Sequence, residues 1–130
     1  MFFTVASSQN QSKSNEEIIR AYFEGFVNKD WSQVAAQLDK DFTFTSPAPD
    51  DHINATQFKD KCWPQSQHIR KFEYVKIVDL ADEAIAIMHV VTSEGKILRN
   101  VEYFHFKNRK ILSIEVFFGG TGAGYPTNAK

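Results

Sequence analysis

A carboxyl group within an aromatic stretch is the feature of this sequence best suited to chemistry. Residues 97–106 read as a strand, and counting alternate positions puts Asn100, Glu102 and Phe104 on one face. If that face is buried, the loss of water around Glu102 favours its uncharged form and raises its pKa. A neutral carboxyl group can donate a hydrogen bond inside an apolar pocket. The alternative is an ordinary ion pair with Arg70 or Arg99.

Two other places carry groups that could take part in a reaction. Tyr22 lies on the apolar stripe of a predicted helix, and Asp51 and His52 lie in a loop after a short strand. A histidine oriented by a neighbouring carboxylate has a pKa suited to acid-base work. Each group also has a structural alternative: Tyr22 as a core tyrosine, and Asp50, Asp51 and His52 as turn formers and helix caps.

The first half of the chain must position these groups with helices. Three helices are predicted, each beginning at a side chain that can cap it, namely Ser14, Asp30 and Asn54. Apolar residues recur at helical spacing after each cap, and Pro64 ends the third helix. A short strand at residues 41–46 separates the second helix from the third.

The second half of the chain is a predicted meander of four long strands. The strands cover residues 72–80, 83–93, 96–107 and 110–118. The turns between them are short enough to make neighbouring strands antiparallel. The sequence therefore predicts an α+β fold in which three helices gather on one face of a curved, mainly antiparallel sheet.

Alternation along these strands predicts which side chains face the helices. In the last strand, Leu112 shares an apolar face with Ile114, Val116 and Phe118. The set expected to point toward the helices is Ser46, Met88, Val90, Asn100, Glu102, Phe104, Val116 and Phe118. The opposite face carries Ile87, His89, Val101, Tyr103 and Phe117, which is too apolar for full contact with water. A homodimer formed through this outer sheet face is the simplest way to cover it.

Composition excludes several classes of protein. The chain has 130 residues, a length that predicts one domain, and its net charge is −1. Its single cysteine cannot form a disulfide within the chain. Without a basic stripe, neither nucleic acid nor a membrane is expected as a partner. The apolar start lacks the basic segment of a signal peptide, which predicts a cytoplasmic protein. Histidines 68, 89 and 105 fall on separate strands or their edges, so no metal site is expected.

Five segments together resemble the nuclear transport factor 2-like superfamily, specifically its SnoaL-like and ketosteroid-isomerase-like branch. The resemblance rests on their order and spacing from about Ser14 to Gly120. The segments are residues 19–22, 28–31, 42–47, 101–106 and 113–119. It implies a cone-shaped roll, also called NTF2-like or cystatin-like, as a single domain at residues 14–120. Residues 1–13 and 121–130 are then expected to be flexible.

The resemblance also implies roles for individual residues. The oxyanion-hole tyrosine of ketosteroid isomerases falls on Tyr22, and their protonated aspartic acid falls on Glu102. Their general base falls on Ser46, whose hydroxyl does not take a carbon-bound proton at neutral pH without a partner base. Asp51 or His52 is therefore the expected base, which makes Tyr22, Asp51, His52 and Glu102 the predicted catalytic set.

The hollow of such a fold holds a small apolar molecule, and no cofactor is implied. Its expected wall consists of Phe26, Ser46, Phe58, Trp63, Met88, Val90, Asn100, Phe104, Val116 and Phe118. One hypothesis is an enzyme that abstracts a proton beside a carbonyl, as in isomerisation, cyclisation or dehydration. The other is a non-catalytic ligand-binding or dimerisation module, because a fold does not determine a function.

Overall fold

The computed structural model describes residues 13–47 and 49–117. Apart from Lys13, the segments predicted to be flexible, 1–13 and 121–130, lie outside the described residues, and so does Phe118. The division of the chain into these three parts therefore stays a prediction.

The first helix, α1 (Asn15–Val27), begins where the sequence predicts it. The Ser14 hydroxyl accepts a hydrogen bond from the Glu17 backbone N–H at 3.1 Å, and the Glu17 carboxylate accepts from the Ser14 N–H at 2.8 Å. This reciprocal capping box satisfies two N–H groups that the first turn would otherwise leave unpaired. The buried residues of α1 are Ile18, Ile19, Tyr22, Phe23, Gly25 and Phe26.

Two further helices follow, α2 (Trp31–Ala35) and α3 (Ala55–Lys61). Their predicted caps, Asp30 and Asn54, each accept a hydrogen bond from the backbone N–H three residues later. The prediction that the third helix runs to Pro64 is corrected. The α-helix ends at Lys61, and a 3₁₀ helix (Trp63–His68) continues the chain with proline in its first turn, where the missing N–H costs nothing.

Six strands form one sheet in the order β2-β1-β6-β5-β4-β3. The strands are β1 (Leu38–Thr45), β2 (Ile53–Asn54), β3 (Ile69–Asp79), β4 (Glu83–Thr92), β5 (Ile97–Lys107) and β6 (Lys110–Phe117). β1 pairs with β6 in parallel, and every other pair is antiparallel. The predicted α+β class with a curved, mainly antiparallel sheet is confirmed.

The β5–β6 hairpin turns through two residues with left-handed backbone, Asn108 (φ 50°) and Arg109 (φ 64°). Two such residues suit the twist of a two-residue hairpin. The alternation predicted for β6 fails near its start, because His105 pairs with Ser113 while Phe106 pairs with Ile111. This bulge leaves Leu112 without a partner, so Ile111 rather than Leu112 is fully buried.

The core lies between the helices and the inner face of the sheet. From the sheet, Met88, Phe104 and Ile114 are fully buried, and Tyr22 and Phe23 meet them from α1. Gly25 allows α1 to approach α2 closely, since a Cβ built there would lie 2.6 Å from Val34 Cγ2. Among the described helices, none is long and apolar enough to cross a membrane. The cytoplasmic location stays a prediction.

Candidate functional site

A cavity of about 410 Å³ lies between α1, α3, the 3₁₀ helix and the inner face of the sheet. Aromatic rings form much of its wall, including those of Phe23, Phe26, Phe44, Phe58 and Phe72. The polar side chains that reach it include Tyr22, Ser46, Asp50, Cys62, Asn100 and Glu102. An apolar wall with a few polar groups is typical of small-molecule sites.

Glu102 points inward from β5 and is 7% exposed. Its Oε2 accepts a hydrogen bond from Asn100 Nδ2 at 2.8 Å. Its Oε1 and the Asn100 Oδ1 are both buried, and neither has a hydrogen-bond partner among the described residues. Unpaired buried polar atoms cost stability, and a ligand oxygen that accepts from protonated Glu102 would satisfy one of the two.

Burial raises the pKa of Glu102 to about 7, against the opposing effect of the hydrogen bond from Asn100. Within the described chain, neither Arg70 nor Arg99 neutralises its charge, so the ion-pair alternative does not apply. Near neutral pH a substantial fraction of Glu102 is therefore an uncharged carboxylic acid. In that form Glu102 can donate a hydrogen bond to a ligand oxygen.

Tyr22 reaches the cavity from the helix layer and is 2% exposed. Its ring lies edge-on to Phe26 at 5.3 Å and to Phe104 at 6.1 Å between centroids. Burial and the charge of Glu102 raise the pKa of Tyr22 well above 10. Its hydroxyl therefore stays a neutral donor. Tyr22 and Glu102 share the cavity without a hydrogen bond to each other.

The structure does not bring Asp51 and His52 to this cavity. His52 Nδ1 lies 2.6 Å from Asp51 Oδ1, but the two side chains are 67% and 80% exposed respectively. His52 has left-handed backbone (φ 54°), and its N–H donates to Thr45 Oγ1 at 3.0 Å. This local geometry turns the chain into β2 with both side chains in solvent.

Asp50, the residue before this pair, reaches the cavity instead. Its side chain is 13% exposed, and its Oδ1 lies 3.7 Å from Lys61 Nζ. Its Oδ2 accepts a hydrogen bond from the Cys62 thiol at 3.7 Å. Burial and then the charge of Asp50 raise the pKa of Cys62 to about 12, so this thiol stays protonated.

The predicted wall residues divide into two groups. Those that line the cavity are Phe26, Ser46, Phe58, Val90, Asn100 and Val116. Met88 and Phe104 also face the helices but are fully buried, because neighbouring side chains cover them. Trp63 packs against Phe26 and Trp31 at centroid distances of 5.1 and 5.3 Å, rather than against the cavity.

Sequence reasoning missed several wall residues. Gln65 and His68 reach the cavity from the 3₁₀ helix, and Phe72 does so from β3. Proline is favoured in the first turn of a helix, so Pro64 could have been interpreted as the start of a new helical turn. No comparable local signal exists for Cys62, whose contact with Asp50 joins two separate segments.

The described residues contain no cluster of three or more His, Cys, Asp or Glu side chains able to hold a metal ion. The hydrogen-bond donors of the cavity include two buried ones, Tyr22 and protonated Glu102, which lie within an apolar wall. Donors of this kind stabilise negative charge that develops on a carbonyl oxygen, and they act most strongly where water is excluded.

Solved structures share this architecture at low sequence identity. A protein from Kribbella flavida is 15% identical with a TM-score of 0.74, over 85% of this chain and 90% of that one. A cystatin-like protein of unknown function from Methylobium petroleophilum is 21% identical with a TM-score of 0.70, over 82% and 78% of the two chains.

A third structure comes from Catenulispora acidiphila and has a ketosteroid isomerase-like fold in complex with trimethylamine. It is 9% identical with a TM-score of 0.67, over 79% of this chain and 85% of that one. At these identities the likeness shows the fold alone. A comparison with curated proteins finds no significant match. The family profile described as "SnoaL-like domain" matches residues 19–114. The chain therefore belongs to the SnoaL-like domain family.

Proposed function

We propose that the cavity binds an apolar small molecule with a carbonyl oxygen and promotes removal of a proton from the adjacent carbon. The observation that carries this proposal is the buried Glu102 carboxyl group, whose Oε1 has no partner among the described residues. Removing a proton beside a carbonyl leaves negative charge on the oxygen. Tyr22 and protonated Glu102 are the donors that would stabilise this enolate.

Isomerisation, cyclisation and dehydration all begin with such a proton transfer, and none of them needs a cofactor. The ketosteroid isomerase-like fold of the Catenulispora protein supports a ligand-holding cavity in this architecture. The non-catalytic alternative uses the same cavity to hold a ligand without turnover.

Binding of 2-naphthol, a phenol that mimics an enolate, tests the oxygen-binding role of Tyr22 and Glu102. Naphthalene has almost the same shape and lacks the oxygen, so the ratio of the two affinities isolates the hydrogen bonds. A net hydrogen bond of about 1.4 kcal/mol predicts tenfold tighter binding of 2-naphthol. Titration calorimetry at pH 6.5 measures both ligands.

Two substitutions locate the effect. Tyr22→Phe and Glu102→Ala should each reduce the preference for 2-naphthol, whereas Tyr103→Phe, on the outer sheet face, should leave it unchanged. Equal binding of the two ligands by the wild type would contradict the role of these donors. Binding of 2-naphthol without deuterium exchange into a ketone would support the non-catalytic alternative.

We also propose that two copies associate through the outer sheet face. Ile85, Ile87 and Val101 are only partly buried there, and Phe117 is 54% exposed. Covering apolar surface gains roughly 25 cal/mol per Å², against the cost of association. The double substitution Val101→Glu with Phe117→Glu should give monomers in sedimentation analysis.

The matched control is Leu80→Glu, because Leu80 is 50% exposed beyond the end of β3. That variant should sediment as a dimer, with the same apparent particle mass as the wild type. A wild type that sediments as a monomer would refute the dimer.

A further inference from the structure

The loop after β1 carries one carboxylate into the cavity and sends the next two side chains away from it. The Ser46 backbone N–H donates to the Asp50 carbonyl oxygen at 2.9 Å. The His52 N–H donates to Thr45 Oγ1 at 3.0 Å. These two hydrogen bonds bring Asp50 back beside Ser46 at the cavity wall, while Asp51 and His52 stay in solvent.

The end of α3 and the residue that follows it hold the Asp50 carboxylate in place. Lys61 contacts Oδ1 and the Cys62 thiol contacts Oδ2, each at 3.7 Å. A carboxylate oxygen accepts more than one hydrogen bond, so each oxygen keeps capacity for an incoming proton. The Asp50 side chain is only 13% exposed, and it forms part of the cavity wall.

We propose that Asp50 is the general base of this cavity and accepts the proton from the carbon beside the ligand's carbonyl. This inference rests on the function proposed above. The C–H bond breaks, its proton moves to an Asp50 oxygen, and its electron pair forms a C=C bond. The carbonyl π pair then moves onto the oxygen, where Tyr22 and protonated Glu102 donate to it. Where the ligand has a C=C bond next to that carbon, the enolate is conjugated with it, and return of the same proton to the far end of the C=C bond completes an isomerisation without a co-reactant.

His68 is the rival base, since it also lines the cavity and an imidazole can accept a proton. His68 is exposed, and its backbone carbonyl accepts a hydrogen bond from the Ser93 N–H at 2.9 Å. Asp50, by contrast, is held at both carboxylate oxygens inside the wall. A base held in place transfers protons more effectively than one that must first be oriented.

Deuterium exchange into 1-tetralone, a bicyclic aryl ketone, tests the assignment without knowledge of the natural ligand. Proton NMR in D₂O follows loss of the signal from the carbon beside the carbonyl. The wild type should accelerate this loss over the buffer rate. Asp50→Asn should lower the accelerated rate at least about 100-fold, since general bases contribute about 10²–10⁴. The same variant should bind 2-naphthol within about threefold of the wild type.

Two matched variants complete the experiment. Asp51→Asn removes a neighbouring exposed carboxylate and should keep wild-type exchange. His68→Gln alters the cavity wall and should lower exchange far less than Asp50→Asn does. A second measurement checks that Asp50→Asn is folded and that it has lost the negative charge beside Cys62. Loss of the Asp50 charge should lower the pKa of this thiol and speed its alkylation by iodoacetamide at pH 8, while the circular dichroism spectrum stays unchanged.

The outcomes separate this inference from the proposed function. A wild type that accelerates exchange, with Asp50→Asn equally active, overturns the role of Asp50 and leaves the proposed function intact. Exchange lost in His68→Gln and kept in Asp50→Asn assigns the base to His68 instead. A wild type that gives no exchange overturns the proposed catalysis itself, and the role of Asp50 with it.

Discussion

The raised pKa of Glu102 makes stability depend on pH in one direction. Folding moves this pKa from its ordinary value of 4.5 to about 7, chiefly by burial. The folded protein therefore holds the proton more tightly than the unfolded chain does. The contribution of Glu102 to the free energy of unfolding is therefore fully present below pH 4.5 and declines as pH rises to about 7. Since one pKa unit corresponds to about 1.36 kcal/mol, the total loss is about 3 kcal/mol.

Replacing Glu102 with glutamine removes this ionisation and keeps the shape and a donor group. Other titrating groups affect both proteins alike, so the difference between their free energies of unfolding isolates residue 102. That difference should move in favour of Glu102→Gln by about 3 kcal/mol between pH 4.5 and pH 8.5. Urea unfolding at fixed protein concentration and several pH values measures it.

Glu94→Gln is the matched control, because the Glu94 side chain lies in the β4–β5 turn and is 73% exposed. The stability difference between this variant and the wild type should change little over the same pH range. A difference for Glu102→Gln that is equally flat would refute the burial argument. A difference that moves toward the wild type with rising pH would mean that Glu102 is ionised and paired in the folded protein.

Three further predictions concern stability and are checked by urea unfolding. Ser14→Ala removes half of the capping box and should cost about 1 kcal/mol. Gly25→Ala should cost about 1–3 kcal/mol although alanine favours helix, because its Cβ would lie 2.6 Å from Val34 Cγ2. Gly25→Ala should cost less stability in a Val34→Ala background than in the wild type, because the clashing Cγ2 atom is then absent. An equal cost in both backgrounds would contradict this. Phe104→Ala should cost about 3–5 kcal/mol because this side chain is fully buried, and a loss below 1 kcal/mol would contradict it.

Local sequence determined most of the fold and the direction of the buried acid. Caps at Ser14, Asp30 and Asn54 mark where the helices begin, since these side chains satisfy nearby backbone N–H groups. Alternation along β5 predicts that Glu102 and Phe104 face the helices, and both are buried. Such patterns can be read from the sequence because successive side chains of a strand point to opposite faces of the sheet.

Tertiary structure decided which loop side chain reaches the cavity. Asp51 and His52 are the residues predicted from the sequence to reach the cavity, but the sequence does not distinguish Asp50 from Asp51, since adjacent acidic residues have similar local preferences. The choice depends on contacts with Thr45, Ser46 and the end of α3, which local periodicity does not encode.

The same limit applies to the inner surface of the sheet. Val90 and Met88 lie on the same face of β4, yet Val90 lines the cavity and Met88 does not. Alternation predicts the face on which a side chain lies. Whether helices cover that position or leave it open depends on how the two layers pack, and this is decided by contacts between residues far apart in the chain.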